Sequence, residues 1–404
     1  LSEILNKEDL KGTVGIAHTR WATHGKPSSI NSHPHNDNSN TFSIVHNGII
    51  ENYNEIRNFL IDNKYTFLSE TDTEVIPNLI HYYFSQEKAK NKSSYLQAIH
   101  HACSMLKGSY ALEILSNDFP DILVVIRKDS PLVIGKGEGE NFVSSDIPAY
   151  LSFTRDFYFL KDNEMAVISK NNIEFFDANL NPINKELITI DWDATSAEKN
   201  GYEDFMLKEI YEQPTAIRET IGTRIENNKC NFSELNFTKE YLSNLKEIYI
   251  VACGTAMHAG LSAKIAIEKL CKIHTEVDIA SEFRYRDPLV DKNTLCIFIS
   301  QSGETADTIA ALKLCKEKGA RTLAVSNVIG SSITREADYS IYTHAGPEIA
   351  VASTKAYTSQ ITLLILLAIY FAQTLESSSQ EFLKDIINEL ISLPNKIDLL
   401  LKDT

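Results

Sequence analysis

The chain has 404 residues and carries 39 basic against 54 acidic side chains, a formal net charge of -15. No run of Lys or Arg is long enough to track a phosphate backbone, which excludes non-specific nucleic-acid or anionic-membrane binding and leaves a small ligand or a protein as partner. With 43% hydrophobic and 23% charged residues disorder is excluded too, and at roughly 100 to 200 residues per domain two or three globular domains are expected.

From Gly12 to about Asp177 short β-branched runs alternate with helical periods. Strands are predicted at Thr13 to His18, Phe42 to Val45, Tyr110 to Leu115, Ile122 to Ile126, Met165 to Ile168 and Ile173 to Phe176, with amphipathic helices at Glu74 to Phe84 and Tyr95 to Leu106. Strands in blocks with helices between them read as layered α+β, a sheet sandwich being one form of it. Residues 191–204 are polar and turn-rich, the expected linker. Phe205 to Gln213 reads as a helix that Pro214 resets, with a second from Ala216 to Ile225.

Beyond Leu245 the rhythm becomes strand, turn, helix. Ile248 to Ala252 precedes Gly254, Thr294 to Ile299 precedes Gly303, and Thr322 to Ser326 precedes Gly330, the pattern of a parallel α/β sheet. Ile361 to Ala372 is too short an apolar run to cross a bilayer and reads as a buried helix. The last helix is expected to turn Phe382, Ile386, Leu390 and Leu393 inward.

Cys103, Cys230, Cys253, Cys271, Cys296 and Cys315 form no C-x-x-C pair, as in a reduced, cytoplasmic protein. The opening Leu-Ser-Glu-Ile-Leu-Asn-Lys has neither an initiator methionine nor a signal pattern, so an internal stretch of a longer protein is expected.

Ligands of a parallel sheet bind beyond the carboxyl ends of its strands, where hydroxyls, backbone N–H groups and helix dipoles make an anion site. Thr255 follows one predicted strand, and Ser300, Ser302 and Thr305 follow another, with Ser353 and Thr354 just before the buried helix. Ordinary helix N-caps draw on the same residue types, so a single such loop decides little. Four strings then carry a resemblance: C-G-T-A-M-H-A-G from Cys253, A-S-E-F-R-Y-R from Ala280, S-Q-S-G-E-T-A-D-T from Ser300 and V-A-S-T-K-A from Val351. They resemble the sugar isomerase (SIS) domain of the glutamine–fructose-6-phosphate aminotransferase family, and F-M-L-K-E-I-Y-E-Q-P from Phe205 looks like the entry to that domain. The resemblance implies a phosphate held by Thr255, Ser300, Gln301, Ser302 and Thr305, with Val351 and Ser353 at the sugar end. The family often has a second hydroxyl where this chain has Ala256, and a hydrogen bond to a charged group is worth about 1.5 to 3 kcal/mol.

In the first half His18, His24, His33, His35 and His46 raise the possibility of a metal. The nearest acids, Asp37 and Glu51, lie in polar or helix-starting contexts, which argues against one. Capture of a small zwitterion fits better: Arg20 can fork a carboxylate, Asp72 can accept from an ammonium, and Asn47 with Gly48, expected at a strand end, offers an amide and an N–H to an oxyanion. Singly, each is equally a solvated arginine or a turn.

Together they resemble the glutaminase domain of the same family. That resemblance implies an N-terminal-nucleophile hydrolase-type αββα sandwich, truncated here. Arg20, Trp21, Thr23, His24, His33 and Asp72 would bind glutamine, Asn47 and Gly48 would form the oxyanion hole, and Trp21 would gate ammonia. The family's nucleophilic N-terminal cysteine and second isomerase domain are expected to lie outside this chain, leaving it inactive alone.

The implied layout is a glutaminase domain over 1–190, a linker over 191–204 and an isomerase domain over 205–404. The implied protein is a homodimeric aminotransferase using fructose 6-phosphate and glutamine, with no metal, no organic cofactor, and no nucleic-acid or membrane partner. The run Gly135 to Gly139 is a poor nucleotide fingerprint, because strand-like N-F-V-S-S follows it. A related sugar-phosphate amidotransferase or deglycase, or a non-catalytic sugar-phosphate-binding or dimerisation module, would use the same hydroxyl loops.

Overall fold

The computed structural model describes residues 12–20, 25–190 and 199–403. The chain divides into two compact units, Leu1–Asp191 and Trp192–Thr404.

In the first unit the strands are β1 (His35–Asn36), β2 (Phe42–Ile50), β3 (Gly108–Ser116), β4 (Leu123–Lys128), β5 (Val133–Lys136), β6 (Asn141–Ser144), β7 (Asp156–Phe159), β8 (Met165–Ile168), β9 (Ile173–Phe176), β10 (Pro182–Ile183) and β11 (Ile188–Thr189). They form two antiparallel sheets, ordered β1-β2-β3-β4-β8-β9-β10 and β11-β7-β5-β6. Helices α1 (Tyr53–Asp62), α2 (Val75–Gln86) and α3 (Lys92–Met105) complete the unit, the last opened by a reciprocal Asn91–Ser94 capping box.

Successive residues of the large sheet serve opposite cores, as the two-residue period of a strand requires. Ile44, Leu112, Ile114, Val124 and Ile126 pack with Leu60, Ile76, Ile80 and Ile99 of the helices. Ala111, Val125, Ala166 and Ile168 pack with Ile134 and Val143 of the small sheet. The layers are therefore helix, sheet, sheet.

Two expectations need correction here. Thr13 to His18 forms no strand among the described residues. Only Ile16 of that run packs against a core, and one inward anchor does not pin a register. Asn47 and Gly48 lie inside β2 rather than at its end, because the strand continues through Ile49 and Ile50.

The second unit holds a short hairpin of β12 (Ile225–Glu226) and β13 (Lys229–Cys230), and then β14 (Glu247–Ala252), β15 (Thr275–Ile279), β16 (Thr294–Ser300), β17 (Arg321–Ser326) and β18 (Tyr339–Tyr342). These five are parallel, in the order β15-β14-β16-β17-β18. The helices are α4 (Phe205–Ile221), α5 (Lys239–Ser243), α6 (Gly254–Cys271), α7 (Ala280–Phe283), α8 (Ala306–Glu317), α9 (Ser332–Glu336), α10 (Lys355–Leu375) and α11 (Gln380–Lys402). Both sheet faces are covered, so β16 reads as an unbroken apolar run. Its Leu295, Ile297 and Ile299 meet Ala259, Ile267, Leu363 and Leu367, while Cys296 and Phe298 meet Phe283, Ile309 and Leu312.

Pro214 does not reset the helix: α4 runs through it from Phe205 to Ile221. Proline lacks the N–H that would bond the carbonyl of Ile210, and the Gln213 side-chain amide donates to that carbonyl instead, at 3.0 Å. The inward face of α11 is Leu383, Ile387 and Leu390; of the expected stripe Leu390 is buried, Ile386 and Leu393 pack half-buried against the same core, and Phe382 is exposed. Helix α10 is long enough to span a bilayer, at 21 residues with a mean hydropathy of 1.5, yet most of it packs inside this unit.

Phe298 is fully buried in the central strand, and truncating such a side chain costs about 3 to 5 kcal/mol. Phe298→Ala is therefore expected to lower the denaturant midpoint of the second unit's unfolding; an unchanged midpoint would show that the packing is wrong.

Candidate functional site

In the first unit, β2 aims its amides at a loop that comes from far along the chain. The amide of Ile50 donates to Asp72 Oδ2 at 2.8 Å, and that of His46 donates to His33 Nδ1 at 3.2 Å. N–H directions alternate along a strand, so the amide of Gly48, midway between them, faces the same edge. Only glycine fits there. Gly48 has φ +143°, and a Cβ on it would come within 2.1 Å of the Ser109 carbonyl oxygen.

The loop bearing Asp72 is folded by Glu74, whose carboxylate accepts from the amides of Leu68 (2.8 Å) and Ser69 (2.7 Å) and from the Ser69 hydroxyl (2.6 Å). Asp72 is thereby held 3% exposed beside β2. Arg20, at φ +54°, donates its backbone N–H to His18 Nδ1 at 3.0 Å and Nη2 to the Gly25 carbonyl at 3.1 Å. His18, Arg20, His33, Asn47, Gly48, Asp72 and their neighbours line a cavity of ≈ 250 Å³. Trp21, Thr23 and His24 lie outside the described residues.

The imidazoles form a stack rather than a ligand set. His18 and His33 are face to face with centroids 4.6 Å apart, and His35 meets His33 edge-on at 5.1 Å. Burial, and then the neighbouring His18, His35, His46 and Arg20, push His33 down to about 3. Burial likewise pushes His46 down to about 4, against the opposing pull of the Asp72 carboxylate. Among the described residues no group of three or more His, Cys, Asp or Glu could hold a metal. Among the described residues no thiol lines the cavity: Cys103 is buried in α3, where desolvation raises it to about 12.

In the second unit the sheet adds β15 on one side of β14 and then β16 on the other, so β14 and β16 flank a topological switch point. Parallel pairing sets Ala252 opposite Ile299 and Ser300 opposite Ser326. The loops after β14 and β16 therefore leave side by side, and the Thr308 hydroxyl in the first turn of α8 lies 4.0 Å from Cys253 Sγ.

Ser300, buried at the end of β16, shares a 2.9 Å hydrogen bond with the Thr305 hydroxyl and accepts from the Gly303 amide at 3.0 Å. Ser302 accepts from the Glu304 amide at 3.2 Å, and the Gln301 carbonyl accepts from the Asn327 amide at 3.1 Å. Gly303 takes φ +69° and would drive a Cβ to 2.0 Å from Ser331 Oγ.

Thr305 and Thr354 stand at N-cap positions without a side-chain cap bond, so simple capping does not account for them. Thr255 is exposed at the start of α6, and Ala256 behind it is buried. Val351 (95% exposed) and Ser353 stand on the separate loop before α10, where Ser353 donates to Glu348 at 2.9 Å.

Ser326, Asn327, Ser331 and Ser332 also crowd this strand end, and the motif reading missed them. The run S-N-V-I-G-S-S, a hydroxyl-rich turn after a predicted strand, was the available signal. Gly135 and Lys136 end β5, and Gly137 to Gly139 lie in the β5–β6 turn, with the Gly137 amide bonded to the Glu140 carbonyl.

A hydroxyl-lined switch point and a cavity holding an arginine, an aspartate and an Asn-Gly strand edge define a protein that joins a glutamine amidotransferase domain to a SIS domain. The glutamine amidotransferase domain family matches residues 18–152, and the SIS domain family matches residues 241–370. The chain belongs to the glutamine–fructose-6-phosphate aminotransferase (isomerizing) family.

The relative of that name in Clostridium perfringens is 53% identical over 405 residues, covering 100% of this chain and 65% of its own length. The one in Methanosarcina mazei is 46% identical, covering 99% of this chain and 67% of its own length. The C-terminal domain of glucosamine-fructose-6-phosphate aminotransferase from Francisella tularensis is 40% identical over 49% of this chain and 56% of its own, with a TM-score of 0.47. The chain spans about two thirds of the length of the curated relatives it matches.

The histidine stack sets a pH dependence. The folded state refuses protons that unfolded imidazoles take up below about pH 6.5, so stability is full above that value and falls as pH drops toward the folded values. The loss is up to about 1.4 kcal/mol per pH unit for each such group. Glu113 on β3 of the same unit, raised to about 7 by burial, acts in the opposite sense, favouring the folded state as pH falls. The four lowered imidazoles, His18, His33, His35 and His46, outnumber it, so thermal unfolding between pH 7 and 5 should show the first unit losing stability, and His46→Gln should flatten the slope. An equal slope in the variant would exclude His46 as its source.

Proposed function

We propose that this chain carries the glutamine site and the sugar-phosphate site of an enzyme that converts fructose 6-phosphate and glutamine to glucosamine 6-phosphate and glutamate. Residues 1–190 act as the glutaminase domain, an amidohydrolase of αββα type, 191–204 as the linker and 205–404 as the isomerase domain. The Arg20 guanidinium binds the α-carboxylate of glutamine in a fork, and Asp72 accepts from the α-ammonium, with Thr23, His24 and His33 around them. The Asn47 side-chain amide and the Gly48 N–H stabilise the oxyanion that forms when the side-chain amide is attacked. Trp21 gates the ammonia set free, which passes internally to the second site.

There Ser300, Ser302, Thr305 and Thr255, with the backbone around Gln301, hold the phosphate without a lysine. Val351 and Ser353 border the sugar. Ammonia adds to the keto carbon, the keto oxygen leaves as water, and the resulting imine isomerises to the amino sugar. The chemistry calls for neither metal nor organic cofactor, and the expected setting is a cytoplasmic homodimer. One observation carries the reading: the strand edge at Gly48 with Asp72, and the hydroxyl turn at Ser300, occur together on one chain.

Fructose 6-phosphate should bind, and Ser300→Ala should weaken it roughly 10- to 100-fold, the loss of one hydrogen bond to a charged group. Calorimetric titration checks this, and unaltered affinity in the variant would remove Ser300 from the site. The intact protein should yield glucosamine 6-phosphate, whereas this chain alone should release no glutamate from glutamine. An intact protein that binds the sugar phosphate yet forms no amino sugar would instead be a binding module.

A further inference from the structure

The segment from Thr343 to Thr354 joins β18 to α10 without regular secondary structure, and its tip is apolar and outward, with Ile349 37% and Val351 95% exposed. Such a tip has no core of its own to fix it. Its flanks are tied by carboxylates instead. On α4, Glu209 Oε1 accepts from the amides of Ile349 at 2.6 Å and Ala350 at 3.1 Å. Glu348 accepts from the amides of Thr354 at 2.8 Å and Ala356 at 3.0 Å, as well as from Ser353.

Glu212 lies three residues beyond Glu209, on the same face of α4. It takes the buried Lys355 ammonium at 2.7 Å and Lys208 at 3.3 Å, which docks the start of α10 on the same helix.

Glu209 is an expensive residue to place here. It is 2% exposed, and its Oε2 is buried without a hydrogen-bond partner, so half of a desolvated carboxylate goes uncompensated. Burial makes it easier to protonate, while the two amides and Lys355 pull the other way. Packing alone would be better served by an apolar side chain. What the carboxylate uniquely supplies is a pair of charge-assisted bonds to consecutive amides at the base of the tip.

We propose that Glu209 is a positioning residue for the sugar end: by pinning the amides of Ile349 and Ala350 it holds the 349–352 tip in the one geometry a phosphorylated ketose meets. The ligand named here rests on the function proposed above; the pinning itself does not. The turn at Ser300 to Thr305 forms its own bonds, so removing the pin leaves phosphate binding intact and loosens only the grip on the sugar.

Amide hydrogen exchange on the intact protein tests the pin directly. In Glu209→Ala the amides of Ile349 and Ala350 should exchange about tenfold faster or more, while those of residues 300–305 keep their rates. Glu209→Gln retains a neutral acceptor and should show an intermediate rate, which also serves if the alanine variant fails to fold. In turnover, Glu209→Ala should raise KM for fructose 6-phosphate about tenfold with kcat within about twofold, and the glutamine variant should recover most of the loss. The Kd for inorganic phosphate should not change.

Unaltered exchange at Ile349 and Ala350 would overturn the proposal, as would acceleration spread along the whole of α4. A wild-type protein that fails to bind fructose 6-phosphate would sink the functional reading instead, and the exchange rates would still decide the pin.

Discussion

The parallel pairing that sets Ala252 opposite Ile299 and Ser300 opposite Ser326 determines where three loops leave the second unit's sheet, and so which hydroxyls can share one ligand. A slip of one residue would turn Ser300 toward a helix-covered face and carry the loop away from Cys253. What prevents the slip is burial on both faces, since β16 has apolar side chains committed to each core and no register but this one satisfies both. The binding chemistry proposed for the strand ends thus depends on the core beneath it. The hydroxyls add little to stability and inherit their positions.

The first unit solves the same problem from the other direction. β2 is an antiparallel strand whose far end has an edge left for side chains, and that edge is filled by acceptors from outside the sheet, His33 and Asp72. A desolvated amide without a partner would be costly, so the strand needs these acceptors whether or not a ligand is bound. Gly48, between them, brings its amide to the same edge with no side chain in the way. Keeping the imidazoles neutral serves this arrangement, because a protonated His33 could no longer accept the His46 amide at Nδ1. Structural need and the proposed ligand capture therefore use one row of donors.

Periodicity made the long elements legible. The parallel strands after Leu245 and the helices α2 and α3 were readable because side-chain burial repeats with the backbone, and the site loops followed from their motifs. What escaped the reading involves partners distant in sequence or local substitutions for a missing bond. Nothing near Gln213 says that its amide replaces the N–H missing from Pro214, and nothing near Ile349 says that a glutamate 140 residues earlier accepts its amide. Thr13 to His18 has the alternation of a strand, but pairing is a property of two segments and only one is visible in a local pattern. Of the small sheet only β6 showed in the sequence, as the strand-like N-F-V-S-S run; β5 was missed because Gly135 and Lys136 break its apolar stretch after two residues, and β7 was missed with it.

Carboxylates recur as the organisers of both sites, and their use follows from backbone chemistry. Glu74, Glu209 and Glu348 each accept from main-chain amides in an irregular loop, and Asp72 from an amide on the open edge of β2, where no ladder exists to satisfy those groups. A carboxylate can take several donors converging from different directions, which a hydroxyl or a side-chain amide manages less well. The consequence is negative charge placed next to sites proposed to bind a carboxylate and a phosphate. That placement is tolerable only because the charge is already directed at amides and, at Glu212, at two buried lysines. The acidic balance of the chain is in this sense partly architectural: acids build the loops, and at the strand ends of the second unit neutral hydroxyls and amides are left to face the proposed phosphate.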